Sequence, residues 1–217
     1  MAEVKLVYPA SGLVSPSSWG SREGIKKMID NINSKYGTYI DFVSKESKLP
    51  KEMITAFIAV ESGGNATAGA SGHITQGLMQ WNRTYAKSQL ETEKKLGRMT
   101  KAEQDKLASY GIKFDANGKT RAITNADQLK PELNILIGSM LLGQLVDTDW
   151  GTENGEIKLD RVIAVYNAGA YGDTGKKARS KAYKTPKDLA SAVNSITSAY
   201  IKKILGSDGA LDLTKIA

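Results

Sequence analysis

Apolar residues recur at helical spacing over most of the chain, and the first such repeat begins near Arg22. An i, i+3/i+4 spacing over several turns predicts an amphipathic helix, because residues so spaced share one face. Gly37 predicts the end of this helix, and a second short helix is expected over about residues 39–46. The residues that carry the first repeat are Ile25, Met28, Ile29, Ile32 and Tyr36.

The next apolar stripe ends in an acidic residue. Pro50 suits the first turn of a helix, and the apolar residues that follow it at helical spacing are Met53, Ile54, Phe57 and Ile58. Glu61 comes seven residues after Ile54 and therefore lies on the same face. Burial disfavours the charged form of a carboxyl group, so Glu61 is a candidate to hold a proton near neutral pH. The alternative is a glutamate at a fraying helix end that reaches water or pairs with a lysine.

Three stretches in the C-terminal half also predict helices. Residues 133–146 are apolar on nearly every face, so a helix opened by Pro131 is predicted to be central and buried. A second stripe runs from Leu159 to Tyr166 and ends at 167–169. A last helix is capped by 185–188. The residues of this helix that we expect to face the core are Leu189, Val193, Ile196, Tyr200 and Ile204.

Residues 87–129 differ from the rest because they are strongly polar. Thr100 and Glu103 have the spacing of a capping box, which predicts a short helix that ends near Tyr110. Asn117-Gly118 lies between two short apolar stretches and indicates a β-hairpin. We interpret this segment as an insertion outside the main core.

Length and composition favour a single domain of the mainly α class. The 217 residues divide into an irregular leader rich in Pro, Ser and Gly, residues 1–21, and one domain, residues 22–217. The chain has no cysteine and one histidine, His73, so we expect no disulfide, no metal centre and no cofactor. The apolar run Ile135–Val146 is shorter than the ~20 residues that a membrane span needs, and none is predicted.

The charge of the chain bears on its partners. A net charge of +7 and a pI of about 9.3 favour an anionic partner, which includes nucleic acid, acidic lipid and bacterial envelope polymers. The basic run Lys176–Lys187 contains no acid and would suit an acidic envelope polymer, although such runs are usually solvated. A nucleic-acid-binding helical protein should carry a basic recognition helix with interleaved aromatic residues. These lysines are expected mainly in a loop, so no nucleic-acid partner is predicted.

The glycine-rich stretch that follows Glu61 suits an uncharged polar ligand. No Asp or Glu occurs between Ser62 and Leu90. Glycines permit a ligand to approach the backbone closely, and Ser and Gln side chains offer hydrogen bonds, as a sugar requires. Trp81 offers a stacking face, with a core anchor as the alternative.

Several of these segments, taken together and in order, resemble a known family. Glu61-Ser62, Gly77–Gln80 and Ala164–Gly169 are similar to the three motifs of the soluble lytic transglycosylases, relatives of goose-type lysozyme. Pro131–Gly138 and Tyr200–Ile204 resemble two further helices of that family. The resemblance covers about residues 38–205 and implies a lysozyme-like helical domain that cleaves bacterial peptidoglycan. Their joint order and spacing are more specific than any one motif.

The resemblance implies a function for particular residues. Glu61 would be the single catalytic acid and base, and the substrate-binding residues would be Ser71, Met79, Gln80, Trp81, Tyr166 and Asn167. Protonated Glu61 would protonate the β-1,4 glycosidic oxygen between N-acetylmuramic acid and N-acetylglucosamine. It would then take the proton of the muramic 6-hydroxyl as a 1,6-anhydro ring closes. No water is consumed, so the reaction is that of a lyase.

Departures from the family pattern leave alternatives open. Ile74–Gln76 stands where the family usually has Gly-Ala-x, and Trp81–Arg83 replaces a segment that commonly ends in proline. A second carboxylate from Asp147, Asp149 or Glu153 would position a water and give hydrolysis, as in a lysozyme. A catalytically silent cell-wall-binding or virion structural protein is a further alternative.

The expected setting is the bacterial cell wall, in the periplasm or outside the cell, with peptidoglycan glycan strands as partner. The chain starts without a visible secretion signal, which resembles a bacteriophage lysin or virion component. A secreted bacterial enzyme without its leader, or a module of a larger chain, would look the same. We expect a monomer.

Overall fold

The computed structural model describes residues 11–69 and 73–214, which are mainly helical, so the predicted class is confirmed. Four short strands form two antiparallel pairs, β1 (Thr75–Gln76) with β2 (Trp81–Asn82) and β3 (Thr152–Glu153) with β4 (Glu156–Ile157). The α-helices are α1 (Arg22–Ser47), α2 (Lys51–Ser62), α3 (Arg83–Lys95), α4 (Lys101–Ser109), α5 (Asn125–Gln128), α6 (Pro131–Val146), α7 (Leu159–Ala168), α8 (Asp173–Arg179), α9 (Pro186–Ala192), α10 (Ser195–Leu205) and α11 (Ala210–Thr214).

Helix α6 lies at the centre of the core, as its sequence predicts. Residues 133–142 are all buried, and α6 packs against α1, α3 and α7. Pro131 occupies the first helical turn, where its missing N–H leaves no hydrogen bond unmade. Because α6 is buried, it provides a fixed helix against which the residues of the candidate site pack.

Helix α1 passes through Gly37 without a break, so the predicted stop at this glycine is wrong. Its buried stripe consists of Ile25, Ile29, Ile32, Ile40 and Val43. Packing of the stripe against α2 and α6 offsets the ~1 kcal/mol that glycine costs in a helix interior. The segment expected to form a separate helix is therefore the second half of α1, which ends at Lys48 in the left-handed conformation (φ 58°).

The last predicted helix is divided into α9 and α10. Thr185 forms the predicted capping box at the start of α9. Asn194 then caps α10 by accepting a hydrogen bond from the backbone N–H of Thr197, which makes the break favourable. Ile196 is consequently 74% exposed, so its predicted inward orientation is wrong. The residues of this region that are buried as predicted are Leu189, Tyr200 and Ile204.

Residues 87–129 contribute to the core instead of lying outside it. The Thr100–Glu103 capping box is present, and α4 ends one residue before Tyr110. Asn117-Gly118 lies in a tight turn, but only an isolated bridge between Phe114 and Thr120 pairs across it. The predicted hairpin is thus reduced to a turn. The apolar side chains of this segment that join the main core are Leu90, Met99, Leu107, Ile112 and Ile123.

The part of the leader that the structure describes, residues 11–21, is irregular apart from a short 3-10 helix, Ser17–Trp19. Leu13 is buried, and Val14 forms an isolated bridge with Ser207. These contacts attach the leader to the C-terminal region. Within the described residues, no helix is both long and apolar enough to cross a membrane.

Candidate active site

Glu61 lies in the last turn of α2. The buried apolar residues of this helix determine which of its faces points into the core. The upstream neighbours Met53, Ile54, Phe57 and Ile58 are fully buried. Gly63 ends the helix in the left-handed conformation (φ 62°), which glycine adopts without strain. The helix therefore stops just after Glu61 and leaves the carboxyl group at the wall of an adjacent cavity.

The Glu61 carboxyl group is hydrogen-bonded to one member of an aromatic cluster formed by Phe57, Tyr166 and Tyr200. The Tyr200 hydroxyl donates a hydrogen bond to Glu61 Oε1 at 2.5 Å. Phe57 contacts Tyr166 edge-on, with ring centres 4.9 Å apart, and Tyr200 in the same manner at 6.4 Å. Burial raises the pKa of Glu61 to about 7, while the hydrogen bond from Tyr200 acts in the opposite direction. The group therefore titrates near neutral pH, as a general acid and base should.

Asn134 of α6 fixes the loop that forms another wall of the cavity. Its Nδ2 donates to the carbonyl oxygens of Gln76 (3.0 Å) and Gln128 (2.7 Å), and its Oδ1 accepts from the Met79 backbone N–H (2.8 Å). Gly77 sits directly against this amide with φ +82°, and a Cβ there would lie 2.3 Å from Asn134 Nδ2. The sequence Gly-Leu-Met-Gln is thus shaped by close contact with α6.

Met79 contributes its backbone to the site and not its side chain. The side chain is fully buried and packs against Gly138, so its predicted contact with substrate is wrong. The Met79 carbonyl accepts a hydrogen bond from the Tyr166 hydroxyl at 2.8 Å. The residue therefore links the loop to α7.

Trp81 is chiefly a core anchor. It is 3% exposed, and its indole Nε1 donates to the Asn134 carbonyl oxygen at 3.0 Å. The residue also lines the cavity. The stacking face considered from the sequence is nevertheless mostly covered by protein.

The Gln80 side chain is hydrogen-bonded to the backbone of neighbouring loop residues. Its Nε2 donates to the carbonyl oxygens of Ala68 (3.0 Å) and Gly77 (2.7 Å), and its backbone adopts a positive φ of 47°. With both amide hydrogens used, Gln80 presents its Oε1 as an acceptor beside Thr75. Ser71, also predicted to bind substrate, lies outside the described residues.

These elements enclose a cavity of about 540 Å³. Five predicted site residues line it, namely Glu61, Gln80, Trp81, Tyr166 and Asn167. The lining residues that sequence analysis did not select are Thr75, Asn82, Tyr85, Leu141, Leu145, Val165, Gly169, Ala170 and Tyr171. Glu61 is the single charged side chain among them, so the cavity, hereafter the cleft, suits an uncharged polar ligand.

The candidates for a second carboxylate lie elsewhere in the molecule. Asp149 pairs with Lys181 at 3.2 Å, and Glu153 pairs with Arg161 at 3.5 Å. Asp147 caps the C-terminus of α6. None of the three lines the cleft. Within the described part of the chain, no group of three His, Cys, Asp or Glu side chains is placed to hold a metal ion.

The sequence predicts that Tyr200 is buried. It does not predict the hydrogen bond between Tyr200 and Glu61. Tyr200 lies 139 positions from Glu61, and no local pattern connects two residues that far apart. Asn167 lines the cleft and accepts a hydrogen bond from the Thr197 hydroxyl at 2.8 Å. The end of α7 is therefore held by α10, the helix that also supplies Tyr200.

The basic run Lys176–Lys187 begins in α8, crosses the loop before α9 and ends in the first turn of α9. Most of its basic residues are helical, so the expectation that they lie mainly in a loop is wrong. Lys177 donates to the carbonyl oxygen of Ala192 at 2.8 Å, and Lys181 forms the ion pair with Asp149. No residue of 176–187 lines the cleft. Among known proteins, no family model matches the chain and no curated protein matches it significantly.

Proposed function

We propose that the protein is a peptidoglycan lytic transglycosylase with a lysozyme-like fold, in which Glu61 works as the single acid and base. The observation that supports this most strongly is the environment of Glu61. Among the described residues that line the cleft, it is the one carboxyl group and the other side chains are uncharged, and burial raises its pKa to about 7. Such a group is protonated in a useful fraction of molecules at neutral pH and also able to take a proton back.

The proposed reaction begins with transfer of the Glu61 proton to the glycosidic oxygen on C4 of N-acetylglucosamine. The bond from that oxygen to C1 of N-acetylmuramic acid breaks, and positive charge develops at C1. The Glu61 carboxylate, stabilised by the hydrogen bond from Tyr200, then accepts the proton of the muramic 6-hydroxyl. The freed oxygen bonds to C1 and closes the 1,6-anhydro ring.

The position of the other acids favours this lyase over a hydrolase. A water-activating carboxylate would have to lie within about 10 Å of the acid across the sugar, and Asp149 and Glu153 are instead held in ion pairs away from the cleft. The intact Glu61–Tyr200 pair likewise favours an enzyme over a silent wall-binding protein. The proposed partner is the glycan strand of the bacterial cell wall.

Digestion of purified peptidoglycan tests the proposal. We expect the wild type to release muropeptides with 1,6-anhydro ends, identified by mass spectrometry, and Glu61→Gln to lose activity by about 100-fold or more. Glu52→Gln is a matched control, because Glu52 lies on the same helix but outside the cleft. Reducing ends would indicate a hydrolase, and undiminished activity of Glu61→Gln would contradict the assignment.

A further inference from the structure

Two tyrosines that no sequence motif singles out line the cleft from different elements. Tyr85 lies in the first turn of α3, and Tyr171 lies in the loop between α7 and α8. Helix α6, which gives Leu141 and Leu145 to the cleft, packs against both α3 and α7. Burial raises the pKa of Tyr85, and the nearby Tyr171 phenol adds to the effect. The two side chains therefore line one cleft although they belong to separate parts of the chain.

Both rings are unusually open to solvent. Tyr85 is 46% exposed and Tyr171 is 82% exposed, whereas large aromatic side chains normally lose most of their exposed surface on folding. Exposed apolar surface in a concave site commonly marks the place where a ligand binds. Exposure on this scale leaves ring faces available to a molecule in the cleft.

The loop that carries Tyr171 is held by Arg179 of α8. The Arg179 guanidinium lies 5.8 Å from the centre of the Tyr171 ring, and its Nε donates to the Ala170 carbonyl oxygen at 3.0 Å. A cation over one face of an exposed aromatic ring attracts the ring only weakly. The contact therefore favours one orientation of Tyr171 and reduces the ordering that a bound ligand must impose.

We propose that Tyr85 and Tyr171 form an aromatic clamp that binds one N-acetylhexosamine ring of the glycan strand. The identity of the glycan rests on the proposed function. Sugar rings present C–H faces that pack on aromatic rings, and the neutral lining of the cleft matches an uncharged sugar. The clamp touches neither Glu61 nor Tyr200 through any hydrogen bond of the described residues, so it contributes affinity and leaves proton transfer to Glu61.

Binding of chitohexaose, measured by calorimetry with Glu61→Gln to prevent turnover, tests the clamp. Adding Tyr85→Ala or Tyr171→Ala should weaken binding by about tenfold each. The double substitution should weaken it by less than the product of the two, because both rings grip the same sugar. Tyr85→Phe and Tyr171→Phe should retain affinity within about twofold, since stacking needs the ring and not the hydroxyl.

Leu96→Ala is the control, because Leu96 is 57% exposed and lies outside the cleft. It should leave affinity unchanged, and thermal unfolding should show all variants folded. If Glu61→Gln binds chitohexaose and the alanine variants bind it equally well, the clamp is contradicted while the proposed function stands. If folded wild type neither digests peptidoglycan nor binds the oligosaccharide, the proposed function itself fails. A loss shared by the Phe variants would assign the contact to the hydroxyl groups and overturn stacking.

Discussion

At the scale of single residues, the protonation of Glu61 is a balance of two influences. Burial removes water from the carboxyl group and raises its pKa, whereas the hydrogen bond from the Tyr200 hydroxyl stabilises the charged form. Burial is the larger influence, so the pKa of about 7 lies well above the ordinary value of 4.5. A group with this balance can give up its proton to a leaving group and hold the resulting charge.

Replacing Tyr200 by phenylalanine should move the pH dependence of peptidoglycan cleavage. The loss of a donor to the carboxylate raises the pKa of Glu61 further, so Glu61 stays protonated to higher pH. We expect the alkaline fall in the cleavage rate to shift upward by about one pH unit. Initial rates of muropeptide release from about pH 5 to about pH 9 would measure it.

Tyr166→Phe is the matched control for that shift. The Tyr166 hydroxyl donates to the Met79 carbonyl and not to Glu61, so its removal should leave the alkaline limb in place. An unmoved limb in Tyr200→Phe, or an equal movement in both variants, would contradict the assigned contact.

At the scale of elements, the candidate site depends on how α6 holds the loop before β2. Asn134 is fully buried and makes two hydrogen bonds to this region, with the Gln76 carbonyl oxygen and the Met79 N–H, and a third with the Gln128 carbonyl oxygen of α5. Leu78 and Met79 of this loop are fully buried, so the hydrogen bonds from Asn134 act together with that packing to fix it. The wall of the cleft that contains Gln80 is thereby set by a helix that carries no catalytic group.

Asn134→Ala should therefore lower the stability of the whole protein. Two carbonyl oxygens and one N–H would lose their buried partner, and we expect a decrease in the free energy of unfolding of about 3 kcal/mol. Denaturant unfolding measures it. Asn125→Ala removes an exposed contact with Arg83 and should cost under about 0.5 kcal/mol. Equal losses in the two variants would show that the buried amide does not brace the loop.

Two helix boundaries show where local sequence patterns fail to predict the structure. The buried apolar stripe of α1 continues beyond Gly37. The free energy gained by burying it exceeds the cost of a glycine in the helix interior. A prediction of the helix end from glycine alone does not include that burial. The break at Asn194 is the converse case, because a favourable cap divides what apolar spacing presents as one helix. At Gly37 tertiary packing overrides a local signal, whereas at Asn194 a local cap overrides the apolar spacing.

At the scale of the whole molecule, the class of the fold and the place of Glu61 could be predicted from periodicity, because both depend on residues close in sequence. The pairing of Glu61 with Tyr200 and the presence of Tyr85 and Tyr171 in one cleft could not, since each joins distant segments. Met79 illustrates the same limit. Its position in a motif placed it at the site, and only packing against Gly138 reveals that its side chain belongs to the core.

The net charge of +7 acts on the molecule as a whole and not on the cleft. The basic side chains of 176–187 lie outside the cleft, where they would favour approach to an anionic cell wall without contacting the sugar that reacts. Charge at the surface and neutrality in the cleft thus serve separate steps of the proposed function.

The protonation state of Glu61 is the property on which the proposed chemistry depends, and it can be measured directly. In protein labelled on its glutamate carboxyl carbons, the resonance that disappears in Glu61→Gln is assigned to Glu61 and followed against pH by nuclear magnetic resonance. We predict a titration midpoint of about 7. A midpoint near the ordinary value of 4.5 would mean that Glu61 is ionised throughout the neutral range, and it would contradict its assignment as the proton donor.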